Sequence, residues 1–358
     1  MTSSKIVVPG TARTKFECRP GFQDHIFKDV HGVKLPVRIW PANKPKGDKT
    51  PWFLWIHGGG WQSGNPYAID PPMQAGFGDA FHIVSVAYRY IPQVGLKEMV
   101  EDCTDAFDWC RARLPTLLPD IDIDSYFVGG DSAGGTLASL MGHHLSPRPK
   151  VVLNVYGVMD FTDFRVDNAR GIKSDPANGK GDEYEQLLQS RLADRDPAHA
   201  QFARASRWLL TLPLSTARAF WGLPDLEFDQ KEAVIECDAY DYTSKHHLRF
   251  DLLFRKDECP DDKTWSDRLI QYSSLHLLDQ EKGYPPTFIL HGTGDSIVPV
   301  SQGYNFEKKL KEIGVEVATS YPEGEEHAFD QRFNGPEDEG WDEVIVPMIK
   351  FVTKHFDM

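Results

Sequence analysis

Short runs of consecutive apolar residues alternate with stretches of helical period on both sides of a long polar gap. That rhythm limits the fold more than any other feature of the chain. "PWFLWI" (Pro51 to Ile56), "FHIVSVAYRY" (Phe81 to Tyr90), "KVVLNVYGVMD" (Lys150 to Asp160) and "PTFILHG" (Pro286 to Gly292) are too short for ordinary helices. They are apolar at successive positions, as strands buried on both faces are. "LKEMVEDCTDAFDWCRARL" sets Met99, Val100, Cys103, Phe107, Trp109 and Cys110 near helical spacing. Beyond the gap, "SQGYNFEKKLKEI" reads as a helix, "VEVATSYP" as a strand and "WDEVIVPMIKFVTKHF" as a final amphipathic helix. Strands alternating with helices form βαβ units, so the expected class is α/β, a mostly parallel central sheet flanked by helices. Upstream, "FQDHIFKDVHGVKLPVRIW" gives two β-rich runs around His31-Gly32, a hairpin, followed by the loop "PANKPKGDKTP".

The rhythm stops near Asp160 and resumes at Tyr284. The expected organisation is a core in two parts, 1–160 and 283–358, interrupted by a largely helical or irregular insertion over 161–282. Within the insertion the clearest periodic piece is "AQFARASRWLLTL", while "KGDEYEQ" and "KDECPDDK" read as solvated, charge-rich loops.

The chemistry sits in the core. "GGDSAGG" contains the G-x-S-x-G pattern Gly130-Asp131-Ser132-Ala133-Gly134, after "YFV" and before the helical "TLASLMGHH". A nucleophile on a strained strand-to-helix turn needs small residues two positions to either side, because backbone and side chain crowd there. The following helix points its N-terminal N–H groups and positive dipole end at the reacting oxygen. "HGGGW" (His57 to Trp61) closes an earlier strand. Three successive glycines lose much chain entropy there but let backbone N–H groups turn toward a ligand. With the amide of Ala133 they form a cradle for a tetrahedral oxyanion, each donor supplying on the order of 3 kcal/mol. The acid and base follow in the order Ser, Asp or Glu, His. Asp295 lies in the loop of "HGTGDSIVP" and His327 in that of "YPEGEEHAFD", each after a strand, where open α/β sheets carry their catalytic groups. Glu323, Glu325 and Glu326 adjoin the histidine and read as solvated instead. The expected catalytic set is therefore Ser132, Asp295 and His327.

"HGGGW", "YRYIP", "GDSAGG", "YGVMD", "HGTGDSIVP" and "GEEHAF" together resemble α/β-hydrolases of the hormone-sensitive-lipase and carboxylesterase type. The resemblance covers about Pro51 to Asp160 and Tyr284 onward, but not the insertion. It implies an oxyanion hole formed by Gly59, Gly60 and Ala133. It departs from the family after the aromatic-arginine pair, where Ile91-Pro92-Gln93 replaces alanine-proline-glutamate, so an acidic role at that point does not carry over. "HGGGW" also fits the H-G-G-x-W pattern of arylformamidases on the same fold, with Trp61 as the discriminating residue. In this fold an insertion after the strand ending near Asp160 emerges at the catalytic edge, so 161–282 is expected to be a lid. Its aromatics (Phe202, Trp208, Phe220, Trp221 and Trp265) are expected to pack it onto the core, and none is assigned to substrate.

The function these features imply is hydrolysis of a carboxylic ester of a small apolar or aromatic molecule through an acyl-enzyme on Ser132. Amidase, arylformamidase, thioesterase and acyltransferase chemistry use the same triad and stay open. A non-catalytic small-molecule receptor is disfavoured because serine, aspartate and histidine all stand. The net charge of −14 repels phosphate backbones and anionic lipid, so neither nucleic acid nor membrane is an expected partner, and the partner is a small-molecule substrate. No cofactor is expected, since "GGDSAGG" does not match the dinucleotide fingerprint G-x-G-x-x-G and no phosphate loop appears. His143-His144 and His246-His247 lack ligand partners at fixed spacing, so no metal is expected. Five scattered cysteines read as reduced thiols, and "MTSSKIVVPGTARTKFECRPG" has no signal-peptide pattern; both point to a cytoplasmic protein. No motif speaks to oligomeric state.

Overall fold

The structure is a computed structural model that describes residues 18–45, 47–163, 175–279 and 283–358. Most of the N-terminal stretch read for a signal peptide lies outside the described residues, as do Lys46 and short pieces of the insertion, 164–174 and 280–282. Among the described residues no helix is long and apolar enough to cross a membrane.

Among the described residues eight strands form one sheet: β1 (Gln23–Val30), β2 (Val33–Trp40), β3 (Thr50–Ile56), β4 (His82–Val86), β5 (Ile121–Asp131), β6 (Val152–Val155), β7 (Thr287–Leu290) and β8 (Val317–Ser320). Their spatial order is β1-β2-β4-β3-β5-β6-β7-β8. The hairpin β1–β2 and the β2–β4 pair are antiparallel, and every pairing from β4 to β8 is parallel. The period-2 rule sorts the apolar runs between two cores. In β3, Trp52, Leu54 and Ile56 join one buried cluster, while Phe53 and Trp55 join the other.

Among the described residues thirteen α-helices accompany the sheet: α1 (Pro71–Phe77), α2 (Leu96–Leu117), α3 (Ala133–His144), α4 (Asp182–Ala193), α5 (Arg207–Leu210), α6 (Leu214–Trp221), α7 (Gln230–Lys245), α8 (Arg249–Leu253), α9 (Asp262–Gln271), α10 (Ser274–Leu277), α11 (Ser301–Glu312), α12 (Trp341–Val344) and α13 (Val346–Lys354). Buried side chains of α2, α3 and α11 fill the first cluster, and those of α1, α12 and α13 fill the second. A mostly parallel sheet packed on both faces by helices is the α/β arrangement expected from the alternating pattern, and the one the resemblance to α/β-hydrolases implies.

The inserted segment differs from the sequence reading in two places. "AQFARASRWLLTL" forms only the single turn α5, because its first half is pinned in extended form to the core. Tyr90 donates its N–H to the Gln201 carbonyl at 2.9 Å, and Arg204 donates its N–H to Gly64 at 2.9 Å. "KGDEYEQ" is not a solvated loop; it opens α4, where Lys180 and the Tyr184 hydroxyl both meet Asp238 at 2.5 Å. "KDECPDDK" is largely exposed, as read, and leads into α9, capped by Asp261, whose carboxylate accepts the Thr264 N–H at 2.7 Å. Where the chain leaves β6, Gln302 on α11 fixes its path. The Gln302 Oε1 accepts the N–H groups of Met159 and Asp160, both at 2.8 Å.

Candidate active site

In a parallel sheet the C-terminal ends of neighbouring strands share one edge, and residues remote in sequence meet there. Ser132 follows β5 and His57 follows β3. Asp295 lies in the loop after β7, and His327 in the loop after β8.

Ser132 is the residue between β5 and α3, with φ 51° and ψ −118°, a backbone an L-residue adopts only under constraint. The constraint is crowding. A Cβ on Gly134 would overlap the carbonyls of Ile56 and His57, and one on Gly130 would overlap the Gly134 backbone. Glycine at both positions lets β3, β5 and the start of α3 close up, leaving the Ser132 side chain on the apex of the turn. Thr136 donates its N–H to the Ser132 carbonyl at 3.1 Å, so the turn runs directly into the helix.

The structure brings the three sequence-predicted side chains together. His327 Nε2 stands 2.9 Å from Ser132 Oγ, and His327 Nδ1 stands 2.7 Å from Asp295 Oδ2. The carboxylate of Asp295 is fully enclosed. Its Oδ1 accepts the N–H groups of Ile297 and Val298 at 2.9 and 2.8 Å. His291 lies 3.3 Å from Oδ2 on its other side. Burial alone would raise the acid, but hydrogen bonds from His291 and His327 outweigh it and hold Asp295 well below the usual carboxylate range. A charged Oδ2 accepts the proton on Nδ1, which leaves the Nε2 lone pair facing the serine hydroxyl. Tyr156 packs against the imidazole with ring centroids 4.6 Å apart and donates its hydroxyl to Asp330 at 2.7 Å. Glu325 and Glu326 are not merely solvated. Glu325 is paired with Arg332, and Glu326 accepts the Ser296 N–H at 3.1 Å, which ties the histidine loop to the aspartate loop.

Gly59, Gly60 and Ala133 line the cavity above Ser132. Their N–H groups are not spent on a backbone partner among the described residues. The glycine loop is held from below. His57 lies 2.8 Å from the Gly58 carbonyl through Nδ1 and stacks on Tyr88 at 4.6 Å. Burial pushes the His57 imidazole down to about 4, against the bond to Gly58. The Tyr88 hydroxyl donates to the His57 carbonyl at 2.9 Å. Gln93, at the departure from the family pattern, is turned away to Asp194, 3.3 Å distant.

The cavity encloses about 270 Å³. The inserted segment contributes Tyr240 and Ser244 of α7 and Arg249 and Phe250 of α8 to its wall. The aromatics singled out from sequence lie elsewhere. Trp208, Phe220 and Trp221 line a separate hollow, and Trp265 packs against Phe254. Sequence reasoning missed Tyr240 and Arg249, because no motif marks either. Among the described residues no group of three or more His, Cys, Asp or Glu side chains is gathered as a metal site.

Comparison with known proteins agrees with this fold. A family model described as BD-FAE matches residues 39–205, and one described as the prolyl oligopeptidase family matches residues 232–357. Among solved structures, esterase B from Lactobacillus rhamnosis has a TM-score of 0.57 at 16% identity, covering 95% of this chain and 89% of that one. The propionate-bound esterase of Thermogutta terrifontis has a TM-score of 0.54 at 18% identity, covering 94% of each chain. Among curated relatives, the non-reducing polyketide synthase ascC of Acremonium egyptiacum is 24% identical over 91% of this chain. The 5-methylorsellinic acid synthase of Aspergillus terreus is 28% identical over 94% of it. This chain spans only 15% and 13% of the length of those two proteins. An AB hydrolase superfamily protein of Schizosaccharomyces pombe is 34% identical over 32% of this chain. The fold is thus that of an α/β-hydrolase.

Proposed function

We propose that the chain hydrolyses a carboxylic ester of a small molecule, with Ser132 as nucleophile, His327 as general base and acid, and Asp295 as the group that orients and charges the imidazole. The observation that carries the reading is the unbroken chain of contacts from Asp295 Oδ2 through both ring nitrogens of His327 to Ser132 Oγ, at 2.7 and 2.9 Å. Ser132 Oγ attacks the ester carbonyl carbon while its proton passes to His327 Nε2. The carbonyl oxygen gains the negative charge beside Gly59, Gly60 and Ala133, whose amides line the cavity and serve as its donors in this reading. As the tetrahedral carbon collapses, His327 hands the proton to the leaving alcohol oxygen, and an acyl-Ser132 ester remains. A water molecule gives one proton to His327 and adds to that ester. Release of the acid restores the hydroxyl on Ser132.

The insertion, 161–282, is the lid in this reading, which is supported by Tyr240, Ser244, Arg249 and Phe250 lining the cavity that holds Ser132. Replacing Ser132 by alanine removes turnover of a short-chain p-nitrophenyl ester. Undiminished turnover by Ser132→Ala rejects the assignment.

A second reading, thioester cleavage or acyl transfer by the same three residues, is favoured by one observation. The polyketide synthases align with nearly the whole of this chain. The discriminating measurement pairs an N-acetylcysteamine thioester with an oxygen ester of the same acid, with and without added alcohols. A thioester preferred by two orders of magnitude or more in kcat/KM, beyond the intrinsic reactivity difference, selects the second reading.

A further inference from the structure

Arginines enclosed in this fold are matched with acids or carbonyls. Arg38 is fully buried and meets Asp24 at 2.6 Å. Arg89 grips the buried Asp102 through Nε and Nη2 at 2.8 and 2.9 Å. Arg204 donates to Gln201 and to the Gln62 carbonyl at 2.9 and 3.0 Å. Such matching is what a low-dielectric interior requires of a cation.

Arg249 is half-buried, lines the cavity that holds Ser132, and has neither an acid nor a carbonyl partner among the described residues. Among the described residues no carboxylate lies within ion-pair distance of its guanidinium. Asp241, the acid near enough to share its field, is taken up by Arg207 at 2.5 Å. Arg249 Nη2 donates to the Ser244 hydroxyl, but Nε is buried and has no partner. The guanidinium lies over the Tyr240 ring, 4.6 Å from its centroid, so the cation is held in place by a neutral face. The two side chains converge on the oxyanion loop. A Cβ on Gly60 would lie 3.1 Å from the Tyr240 hydroxyl and 3.2 Å from both Cζ and Nη1 of Arg249. Val158, Phe250, Ile297 and Val298 give the same cavity an apolar wall, alongside the polar Asp131 and Gln331.

The geometry points to a carboxylate-binding subsite formed by Arg249 and Tyr240, so that the substrate is an ester whose apolar body also carries a carboxylate. The guanidinium presents a planar fork and the phenol a single donor, a combination that matches the lone pairs of a carboxylate. The apolar wall takes the carbon skeleton, while the reacting carbonyl stays over Ser132. This inference rests on Ser132 being the nucleophile of this cavity.

The test uses two pairs of esters, because the carboxylate can belong to the acid or to the alcohol. Mono-p-nitrophenyl glutarate is set against p-nitrophenyl valerate, and 4-acetoxybenzoate against 4-acetoxytoluene. In each pair the ratio of kcat/KM, charged over neutral, is measured for the wild type, Arg249→Met, Arg249→Lys and Tyr240→Phe. Loss of a charge-assisted contact lowers the ratio by about tenfold or more in Arg249→Met, in at least one pair. Arg249→Lys restores part of it, and Tyr240→Phe lowers it less. Thermal melting and labelling of Ser132 by a fluorophosphonate establish that each variant is folded and has a competent nucleophile. Ratios that Arg249→Met leaves unmoved in both pairs overturn the subsite while the hydrolase reading stands. Turnover of all four esters by Ser132→Ala instead overturns the hydrolase reading itself.

Discussion

Gly58 donates its backbone N–H to Asp131 Oδ1 at 2.7 Å, joining the end of the glycine loop to the residue just before Ser132. Two strand ends, β3 and β5, are thereby locked at the point where the oxyanion donors must face the nucleophile. Removal of water around Asp131, with Asp70 and Asp330 nearby, pushes its carboxyl well above the usual carboxylate range. The neutral form is therefore the one the fold prefers, and a neutral side chain of the same shape serves equally well. Asp131→Asn is expected to retain the melting temperature and most of kcat. Asp131→Ala, which strands the Gly58 N–H, costs about 1–3 kcal/mol of stability and lowers kcat with it. Thermal melting and kcat on one ester measure both.

Asp295 acts on the reaction through the imidazole alone. In Asp295→Asn the amide presents no anion to Nδ1, and the ring no longer holds its lone pair toward Ser132 Oγ. The expected loss is about 10³–10⁴-fold in kcat, with KM changed far less. Steady-state kinetics at a fixed pH separates the two quantities.

Gly60 has φ 60°, a conformation glycine adopts freely, and it lies directly under Tyr240 and Arg249. An alanine there strains the backbone and pushes on both side chains, which turns the amide away from the developing oxyanion. Gly60→Ala is expected to lower kcat by about 10²-fold or more. Fluorophosphonate labelling slows in parallel, because it needs the same hole.

His57 makes a pH-dependent contribution to stability. Its folded value of about 4 lies below the ordinary histidine range near 6.5, so in between the unfolded chain binds a proton that the folded one does not. Stability therefore falls as pH drops from about 6.5 to about 4, with a slope approaching ~1.4 kcal/mol per pH unit from this residue. Denaturant unfolding of His57→Gln across that window is expected to show a shallower slope. It does not become flat, because burial lowers His82 and His355 as well.

Much of this architecture was legible in the chain. Continuous apolar runs marked β3, β4, β6 and β7 because parallel strands are buried on both faces, and Gly32 marked the β1–β2 turn. Ser132, Asp295 and His327 stood out because each falls just past such a run, and the parallel sheet brings them to one edge. The insertion was harder to read. Its periodic "AQFARASRWLLTL" gives little helix, since residues 201–204 are held by backbone bonds to Tyr90 and Gly64, partners more than a hundred positions away. Tyr240 and Arg249 were invisible for the same reason. Their placement depends on how α7 and α8 are laid across the core, and neither residue belongs to a spaced motif. α1 also went unread: it is short, begins at Pro71-Pro72 and has no polar face of its own period.

The most direct test is mass spectrometry of the intact protein after brief reaction with a slowly deacylating ester, followed by peptide mapping. The account predicts one acyl group per chain, attached at Ser132, lost in Ser132→Ala, and persisting longer in His327→Ala once formed. An adduct at any other residue, or one that forms equally in Ser132→Ala, contradicts it.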